Sequence, residues 1–373
     1  MRLESLSLQD FRNYASISLN FNPGLNIFVG DNAQGKTNLL EAIYVLALSK
    51  SYRAQRDPEL IRQGADQALV SGQIRRLASM ELGFLLSHTE RKRLLVNQKA
   101  ATASRFVGNL NIVLFSPDSL QLVKGTPSDR RRFLDIQICQ IDPVYRKTLL
   151  EYQRVVRQRN SLLKSAQESR AHLSQLVVWD RQLISLGTEV MLRRQAVVDK
   201  LQRYTRDIHR QISQELENLH LIYQPFFADP EKGDLELWDS PEELKSMFML
   251  QLQQLRREEL RRGYTLAGPQ RDDLLFLING MDLRKYGSQG QQRSAVLACI
   301  LAELELMQGE TGEYPVVLLD DVMSELDQKR RIQLLSLLND KAQTIVTTTN
   351  LGSFTAEIVQ RAAVFNIRQG RIL

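Results

Sequence analysis

One stretch near the start constrains the fold of this chain more than any other: residues 25–48, "LNIFVGDNAQGKTNLLEAIYVLAL". A strand-like apolar run leads into Gly-x-x-x-x-Gly-Lys-Thr, and a helix-like run follows it. In that context the backbone N–H groups of the loop cradle phosphates, a lysine ammonium reaches them, and the hydroxyl binds Mg²⁺. The stretch predicts an α/β nucleotide-binding core whose phosphate loop consists of Gly30, Asp31, Asn32, Ala33, Gln34, Gly35, Lys36 and Thr37.

The acid that a phosphate loop needs for its metal appears at "YPVVLLDDVMSELD", residues 314–327. The apolar run 316–319 predicts a strand that is buried on both faces and ends in two acids. Asp320 suits magnesium, held together with the Thr37 hydroxyl, and Asp321 suits polarising the attacking water. With Lys36, these two acids are the candidate catalytic residues. Because 284 positions separate Lys36 from Asp320, we expect one nucleotide fold that is split by an intervening lobe.

A second loop with phosphate-binding character lies between the two halves, in "YGSQGQQRSAVLACILAELELM", residues 286–307. A Gly-Ser-x-Gly-Gln loop that enters a long helix offers a hydroxyl and a helix N-terminus, and both suit phosphate. The chain already has one phosphate loop. A second ligand of this kind is therefore expected to face the nucleotide of another protomer. Ser288, Gly290 and Gln291 thus predict a two-fold dimer with two ATP molecules between the subunits.

The texture of the sequence divides the chain of 373 residues into three segments. Residues 1–127 carry short alternating strands around the phosphate loop, and residues 128–260 carry apolar residues at helical spacing. Strand-like texture returns in residues 261–373. The apolar positions of the long helical stretch predict the inside of a helical hairpin: Leu173, Leu176, Leu183, Val190, Val197, Leu201, Tyr204, Ile208 and Ile212. Pro, Gly and Asp residues predict loops across 226–243.

Charge is concentrated in the helical segment. The whole chain has a net charge of +6, but residues 130–212 hold 17 Lys and Arg against 8 Asp and Glu, a net of +9. Such a segment suggests an anionic partner, most plausibly nucleic acid, although a solvated helical face would have the same composition. Arg193, Arg194, Arg203 and Arg206 are the candidate DNA contacts on this segment.

Hydropathy gives no sign of a membrane segment. No run approaches the roughly 18 apolar residues that a spanning helix needs. The N-terminus, "MRLESLSLQDFRNY", alternates like a strand instead of forming the apolar core of a secretory signal. We expect a cytoplasmic, nucleoid-associated protein that makes no membrane contact.

Several motifs, in this order, resemble those of one family. They are "LxLxxFRNY", the phosphate loop, "SYR" at 51–53, "LFSPDSLxLVKGTPSDRRRFLD" at 114–135, "GPQRDD" at 268–273, "YGSQGQQR" and "VLLDDVMSELD" at 317–327. Together they resemble the ABC-type ATPase head of structural-maintenance-of-chromosomes proteins and, more narrowly, the bacterial RecF family of DNA replication and repair. The likeness covers essentially the whole length.

The resemblance implies a P-loop ABC-type ATPase head with a β-rich subdomain and an inserted α-helical second lobe. It implies a protein that dimerises on ATP with Mg²⁺ and binds single- and double-stranded DNA at gaps and gap junctions. With RecR and RecO it would help load recombinase, and weak, DNA-stimulated ATP hydrolysis would act as a switch. Ser324 and Asp327 of "SELD" then match the D-loop, and Arg53 of "SYR" an arginine that touches DNA near the nucleotide.

The sequence departs from the family pattern at some positions. Gln289 stands where the ABC signature has Gly, and Gln270 stands where the family usually has His. The switch His of transporter heads is absent, so that a Thr of 347–349 or Asn350 is left to sense the γ-phosphate. Two alternatives share this head: an ATP-dependent nuclease, which needs an added acidic metal cluster, and a structural DNA binder that holds ATP without hydrolysing it.

Overall fold

The computed structural model describes residues 1–168, 173–228, 238, 240–338 and 341–373. It divides into two compact units. The first unit combines Met1–Ser119 with Ile300–Leu373, and the second unit is Leu120–Cys299. The predicted loops of residues 229–237 and 239 lie outside the described residues.

Strands predominate in the first 115 residues of the chain, and the long helices follow them. In chain order, the strands are β1 (Arg2–Phe11), β2 (Tyr14–Asn20), β3 (Leu25–Val29), β4 (Gln67–Arg75), β5 (Ser79–Ser87), β6 (Arg93–Val96), β7 (Lys99–Ala101), β8 (Ile112–Phe115), β9 (Leu219–Gln224), β10 (Asp273–Ile278), β11 (Met281–Asp282), β12 (Val316–Asp320), β13 (Thr344–Thr348), β14 (Ala363–Arg368) and β15 (Arg371–Ile372). The α-helices are α1 (Lys36–Leu48), α2 (Ala103–Phe106), α3 (Gln121–Lys124), α4 (Pro127–Ile141), α5 (Pro143–Glu168), α6 (Leu173–Ile212), α7 (Pro241–Arg262), α8 (Leu283–Tyr286), α9 (Gln289–Thr311), α10 (Val322–Glu325), α11 (Gln328–Leu338) and α12 (Ala356–Arg361).

The first unit contains the sheet that places the nucleotide motifs. Its strand order is β15-β14-β3-β13-β12-β8, and all neighbours pair parallel except β14 with β15. Every residue of β12 is buried, as expected for a central parallel strand. The carboxyl ends of β3, β13 and β12 meet at one edge, which is where open α/β sheets bind ligands.

The same unit contains an antiparallel sheet in the order β2-β1-β4-β5-β6-β7. Helix α1 packs against β4 and β5 of this sheet and against β13 of the parallel sheet. It is buried almost all round, as expected of an apolar helix enclosed in a core. One apolar core therefore joins the phosphate-loop helix to both sheets.

The second unit consists of helices around a small sheet. Helices α5 and α6 pack along each other, α7 joins both, and β9 pairs with β10. The predicted hairpin stripe is confirmed at its buried positions, Leu176, Leu183, Val190, Val197, Leu201 and Ile212. Tyr204 and Ile208 are half-buried. The described part of the chain contains no helix that combines the length and the apolar character needed to cross a membrane.

The compact units do not divide where the three predicted segments do. The first boundary lies at Ser119, ahead of the predicted residue 128, and the second lies inside α9 at Cys299, not at residue 261. The reason is the pairing of β10 with β9, which assigns residues 273–278 to the second unit. An ion pair between Arg130 and Asp273 adds to this.

Candidate active site

The phosphate loop leaves β3 and enters α1 through two glycines that accept no other residue. A Cβ at Gly30 would overlap the carbonyl oxygen of Ile367, a residue of the neighbouring strand β14. Gly35 has φ 115, a conformation that L-residues rarely adopt, and a Cβ there would contact the Asn13 amide at 2.6 Å. The glycines are therefore required by the close approach of two backbones and by the turn into the helix.

Two neighbouring turns hold this loop in place. Tyr14 donates its hydroxyl to the Gly35 carbonyl at 2.9 Å, and Asn13 donates to the Gln34 carbonyl at 3.1 Å. From the β14–β15 turn, the Gly370 N–H donates to the same Gln34 carbonyl at 3.0 Å. The loop is thus fixed before any phosphate arrives.

Lys36 closes the loop on itself. Its ammonium donates to the carbonyls of Gly30 at 2.6 Å and Asp31 at 2.7 Å. Burial lowers the pKa of this lysine, and the nearby carboxylates of Asp321, Asp31 and Asp320 oppose that shift. A buried ammonium that bridges two carbonyls is positioned to exchange one of them for a phosphate oxygen.

Asp320 accepts hydrogen bonds from three hydroxyl groups. Thr37 and Thr347 each donate to Oδ1 at 2.9 Å, and Tyr52 donates to Oδ2 at 3.1 Å. Only 5% of the residue is exposed. The structure therefore brings together Thr37 and Asp320, the predicted metal ligands, which are far apart in the chain. A hydroxyl and a fixed carboxylate beside a phosphate site fit Mg²⁺, which binds proteins through few carboxylates and keeps sites for phosphates and water.

Asp321 follows directly and is held through its backbone. Its φ of 51 places it in the left-handed region, and its N–H donates to the Thr347 hydroxyl at 3.0 Å. The Ser324 hydroxyl in turn donates to the Asp321 carbonyl at 2.7 Å. Thr347 thus contacts both acids, because β13 lies between the strand of the phosphate loop and the strand that carries the acids.

The "SYR" segment is attached to the phosphate-loop helix. Ser51 donates to the buried carboxylate of Glu41 at 2.5 Å, and Arg53 lies 3.6 Å from the same carboxylate. Arg53 also donates to the Asn38 side chain at 3.0 Å, and its own side chain is 41% exposed. Arg12 completes the cluster with two bonds of 2.8 Å to Glu41. Arg53, the candidate DNA residue, is thus exposed and bonded to residues of α1.

The signature loop, residues 288–291, belongs to the second unit, and the phosphate loop belongs to the first. Ser288 and Gln291 bond reciprocally: the Ser288 N–H donates to Gln291 Oε1 at 2.8 Å, and the Gln291 N–H donates to Ser288 Oγ at 3.2 Å. Such an exchange caps the N-terminus of α9. Ser288 is exposed, and Gly290 is half-buried between the two.

The D-loop residues lie directly after the acids. Ser324 is exposed. Asp327 accepts from the Arg330 N–H at 3.0 Å and caps the start of α11, and its side chain is 51% exposed. Both side chains lie in the same unit as the phosphate loop.

The candidate DNA arginines of α6 differ in exposure. Arg203 and Arg206 are exposed. Arg193 is paired with Asp142 and with Glu189. Of the 17 cations counted in the basic segment, Arg130, Arg146, Arg159 and Arg194 are buried.

The position of Arg194 contradicts its prediction as a DNA contact. It is 2% exposed, and its guanidinium bonds to Asp135 at 2.9 Å, to the Pro269 carbonyl at 2.7 Å and to Asp272 at 3.3 Å. The assignment of Arg194 as a DNA contact was wrong, because its guanidinium is buried and paired with two acids of the same unit.

The "GPQRDD" motif forms the centre of the second unit. Asp272 accepts from the Tyr223 hydroxyl and from the Phe226 N–H, and burial raises the pKa of its carboxyl. Gln270 accepts from the Tyr152 hydroxyl. Gln270 Nε2 also donates to the Ala267 carbonyl at 2.9 Å, so its side chain bonds within the second unit.

Some residues of the site were missed by sequence reasoning. The "SYR" motif points to Arg53 and not to Tyr52, and the absent switch histidine points to Thr347 only as a sensor of the γ-phosphate. The available signal was the run "TIVTTTN", where hydroxyls follow a buried apolar strand. Asn350, the other residue considered, accepts from the Gly352 N–H at 2.7 Å and starts a short turn.

Comparison with known proteins agrees with this geometry. The sequence model of the family described as RecF/RecN/SMC N terminal domain matches residues 2–372. A DNA replication and repair protein RecF from Geobacillus thermodenitrificans (strain NG80-2) is 40% identical over 100% of this chain and 99% of its own length. One from Staphylococcus haemolyticus (strain JCSC1435) is 42% identical over 100% of both. This chain belongs to the RecF family.

Solved structures extend the match to the fold of this RecF-family chain. The recombination mediator protein RecF, in structures described as RecF-ATPrS and RecF-ATP in the RecFOR pathway, superposes with TM-scores of 0.90 and 0.89. Those proteins are 32% and 33% identical, and the match covers 100% of this chain and 97% and 96% of theirs. An Smc head bound to the C-winged helix domain of ScpA shares 18% identity with a TM-score of 0.55, which supports the ABC-type head fold alone.

Proposed function

We propose that this RecF-family chain is an ATP-dependent DNA-binding protein of recombinational repair and replication-gap processing. The observation that carries the proposal is the assembly of Lys36, Thr37, Asp320 and Asp321 at one sheet edge. The comparisons add support, since RecF relatives are DNA replication and repair proteins and two solved RecF structures are described with ATP or ATPrS.

The residues of the site have distinct roles in this proposal. Lys36 binds the β- and γ-phosphates, and the loop N–H groups orient them. Thr37 and Asp320 would hold Mg²⁺, and the ion would supply positive charge beside the phosphates. Asp321 orients a water and accepts its proton. Thr347 holds both acids in register, and Tyr52 fixes the second oxygen of Asp320.

A second protomer completes the site. Ser288, Gly290 and Gln291 of the partner face the γ-phosphate, and Ser324 and Asp327 line the same contact. The reciprocal cap of Ser288 and Gln291 supports this role, because it presents a hydroxyl and a helix N-terminus at an exposed position. Hydrolysis is weak and DNA-stimulated, so that ATP serves as a switch between monomer and dimer.

The second unit supplies the DNA surface. Arg203 and Arg206, with Arg53 of the first unit, contact the phosphate backbone at gaps and gap junctions, and Arg193 adds to this only if its ion pairs open. The protein acts in the cytoplasm at the nucleoid. RecR and RecO are its protein partners in loading recombinase, which agrees with the RecFOR pathway named for the two solved relatives.

Analytical ultracentrifugation tests the central claim. Sedimentation is measured with ATP, with ADP and without nucleotide, each with and without gapped DNA. The wild type should dimerise with ATP but not with ADP or without nucleotide, and DNA should strengthen the ATP-bound dimer. Lys36→Ala should stay monomeric in every condition. A wild type that sediments identically in all six conditions would contradict the proposal.

Enzymatic assays separate the two alternatives. Single-turnover hydrolysis with and without DNA distinguishes a switch, which turns over slowly and faster with DNA, from a structural binder, which keeps its ATP. Incubation of ATP-loaded protein with gapped and linear DNA distinguishes both from a nuclease, which would cut the strand.

A further inference from the structure

The last turn of α6 holds a histidine that the proposed function does not use. His209 is fully buried, and among the described residues neither of its ring nitrogens has a hydrogen-bond partner of ordinary length and angle. Its nearest charged neighbour is Glu217, whose Oε2 lies 3.7 Å from His209 Nε2. A buried polar ring of this kind needs a structural reason, because burial without a partner costs free energy.

Glu217 reaches the histidine because the chain reverses where α6 ends. Gln214 and Glu215 both have left-handed φ values, 55 and 64, and the Glu215 N–H donates to the Arg210 carbonyl at 2.8 Å. The turn brings residue 217 back beside the last turn of the helix. The Glu217 carboxylate therefore lies beside the imidazole, and the side chain of Glu217 is only 23% exposed.

The other oxygen of Glu217 points to the signature loop. Glu217 Oε1 accepts from Gln291 Nε2 at 2.9 Å. The carbonyl oxygen of the same Gln291 amide accepts from the Ser288 N–H at 2.8 Å. The Gln291 amide is thus held at both ends, with Ser288 on one side and Glu217 on the other. Without Glu217, the Gln291 side chain would keep one anchor only.

We propose that Glu217 is a positioning residue, which holds Gln291 and through it the loop 288–291 in the conformation that meets a partner's nucleotide. The inference rests on the proposed role of that loop. His209 sets the orientation of the carboxylate by packing against it. The contact also joins the loop to the end of α6, where the candidate DNA residue Arg206 lies three positions before His209.

The tests compare Glu217→Ala, Glu217→Gln and a control, Glu215→Ala. Glu215 is an exposed acid in the same turn, so its replacement removes an equal charge without touching Gln291. The glutamine variant keeps an amide oxygen that can accept from Gln291 Nε2, so it should rescue most of the loss. Hydrogen exchange of the amides of residues 288–292 is measured without nucleotide, and ATP binding, ATP-driven dimerisation and hydrolysis are measured separately.

Loss of a hydrogen bond of this kind should speed exchange in the loop of Glu217→Ala by roughly 3- to 10-fold. The affinity of the two protomers for each other and kcat should both fall by about the same factor. ATP affinity and thermal stability should stay at the wild-type level. In the background of Gln291→Ala, adding Glu217→Ala should change nothing further, because the two act in series.

Unchanged exchange and dimerisation in Glu217→Ala would overturn the inference. So would equal losses in Glu215→Ala, or a loss of ATP affinity and stability that marks a general structural role. If the wild type itself failed to dimerise with ATP, the proposed function would fail. The nucleotide-free exchange would still decide whether Glu217 holds the loop.

Discussion

Asp320 is the residue at which three separate elements meet. Thr37 from α1, Thr347 from β13 and Tyr52 from the segment after α1 each donate a hydroxyl to its carboxylate. A carboxylate held by several fixed donors keeps one orientation, and Mg²⁺ demands near-ideal octahedral geometry of its ligands. Tyr52 and Thr347 both lie outside the two nucleotide motifs, but Thr347 also accepts from the Asp321 N–H. The contribution of a single donor to Asp320 is therefore best tested at Tyr52.

Tyr52→Phe should therefore weaken magnesium binding without disturbing the fold. The ring stays packed against Tyr44, at a centroid distance of 4.9 Å, and only the hydroxyl is lost. We expect the Mg²⁺ concentration for half-maximal ATP binding to rise roughly 3- to 10-fold, the usual effect of one hydrogen bond. Titration of a fluorescent ATP analogue at varied Mg²⁺ measures this directly.

Tyr314→Phe is the matched control for this prediction. Its hydroxyl also donates to a carboxylate in the first unit, that of Glu305, at 3.1 Å. That bond has the same length as the one from Tyr52 to Asp320. Equal shifts in the two variants would show that the effect comes from a general loss of rigidity.

Asp321→Asn should separate hydrolysis from binding. Asparagine tolerates positive φ well, so the left-handed backbone at this position is preserved. The bond from its N–H to Thr347 does not depend on the side chain. Turnover should fall by roughly 10²–10⁴-fold if the carboxylate acts as general base, with the ATP-bound dimer accumulating.

Quenched-flow hydrolysis and equilibrium ATP binding are the two measurements for this variant. Asp118→Asn, an exposed acid of the same unit, should leave both at the wild-type value. A wild-type rate in Asp321→Asn would mean that another group activates the water.

For single residues, the sequence predicts the site residues that lie within a motif and misses those that other segments of the chain contribute. The phosphate loop and the two acids follow from local order, because the turn and the buried strand are encoded in consecutive residues. Tyr52 and Thr347 meet Asp320 only through the folded sheet. The run "TIVTTTN" indicates hydroxyls at the end of a buried strand, but no spacing along the chain shows that Thr347 or Tyr52 contacts Asp320.

Among the elements, helix α6 has one face that packs in the core of its unit and another that exposes arginines. Val190, Arg194, Val197 and Leu201 follow each other at intervals of four, three and four residues, and all four are buried. Arg194 therefore lies on the apolar stripe, and residues at such spacing share a helix face. Arg203 and Arg206 lie off that stripe and are exposed.

We expect Arg203→Ala and Arg206→Ala to weaken DNA binding uniformly across sequences. Each lost phosphate contact should reduce the slope of log affinity against log salt by roughly one. Fluorescence anisotropy on gapped DNA over a range of salt concentrations gives the slope. Arg361→Ala, an exposed arginine of the first unit, is the control. A slope unchanged in both α6 variants would show that this face meets a protein partner instead.

Arg194→Ala should affect folding of the second unit, since its charge is satisfied inside. Removing it leaves Asp135 and the buried Asp272 without their shared cation. We expect a loss of about 3–5 kcal/mol in the free energy of unfolding, as for other broken buried pairs. Urea unfolding measures this, and Arg203→Ala should stay within about 0.5 kcal/mol of wild type. A stable Arg194→Ala variant with weakened DNA binding would restore Arg194 as a DNA contact.

Helix periodicity alone indicates that Arg194 is buried, because it falls on the apolar stripe between Val190 and Val197. The acids that neutralise it could not have been found in this way. Asp135 and Asp272 come from α4 and from the segment before β10, and only tertiary packing brings them to α6. Net charge along a chain therefore overstates the charge at its surface.

At the scale of the whole molecule, the two nucleotide motifs belong to one unit and the signature loop belongs to the other. The sequence correctly predicted a split nucleotide fold, because the 284 positions from Lys36 to Asp320 are many more than a compact nucleotide fold usually places between these motifs. It did not predict where the units divide. The pairing of β10 with β9 depends on contacts that no local pattern encodes.

The dimer can be tested by mixing two inactive variants. Lys36→Ala should lack ATP binding, while Ser288→Arg should bind ATP as a monomer without hydrolysing it. A mixed dimer of the two holds one site with an intact phosphate loop facing an intact signature loop. Hydrolysis should recover in the mixture toward half the wild-type rate, measured after heterodimers are verified by tagged pull-down. Heterodimers that form and yet remain inactive would argue against independent composite sites.

The pairing of β3 with β13 has a consequence for how the protein is made. Leu25 lies opposite Thr344, so the two partners of this strand pair are 319 positions apart in the chain. At a synthesis rate of roughly 5–20 residues per second, the phosphate-loop strand waits on the order of 15–60 s for its neighbour. The antiparallel pairs of β1 with β2 and of β4 with β5 can form well before that. A ribosome-bound chain that stops before β13 should therefore have an ordered N-terminal sheet and should not bind ATP, so this protein can bind nucleotide only after β13 has been synthesised.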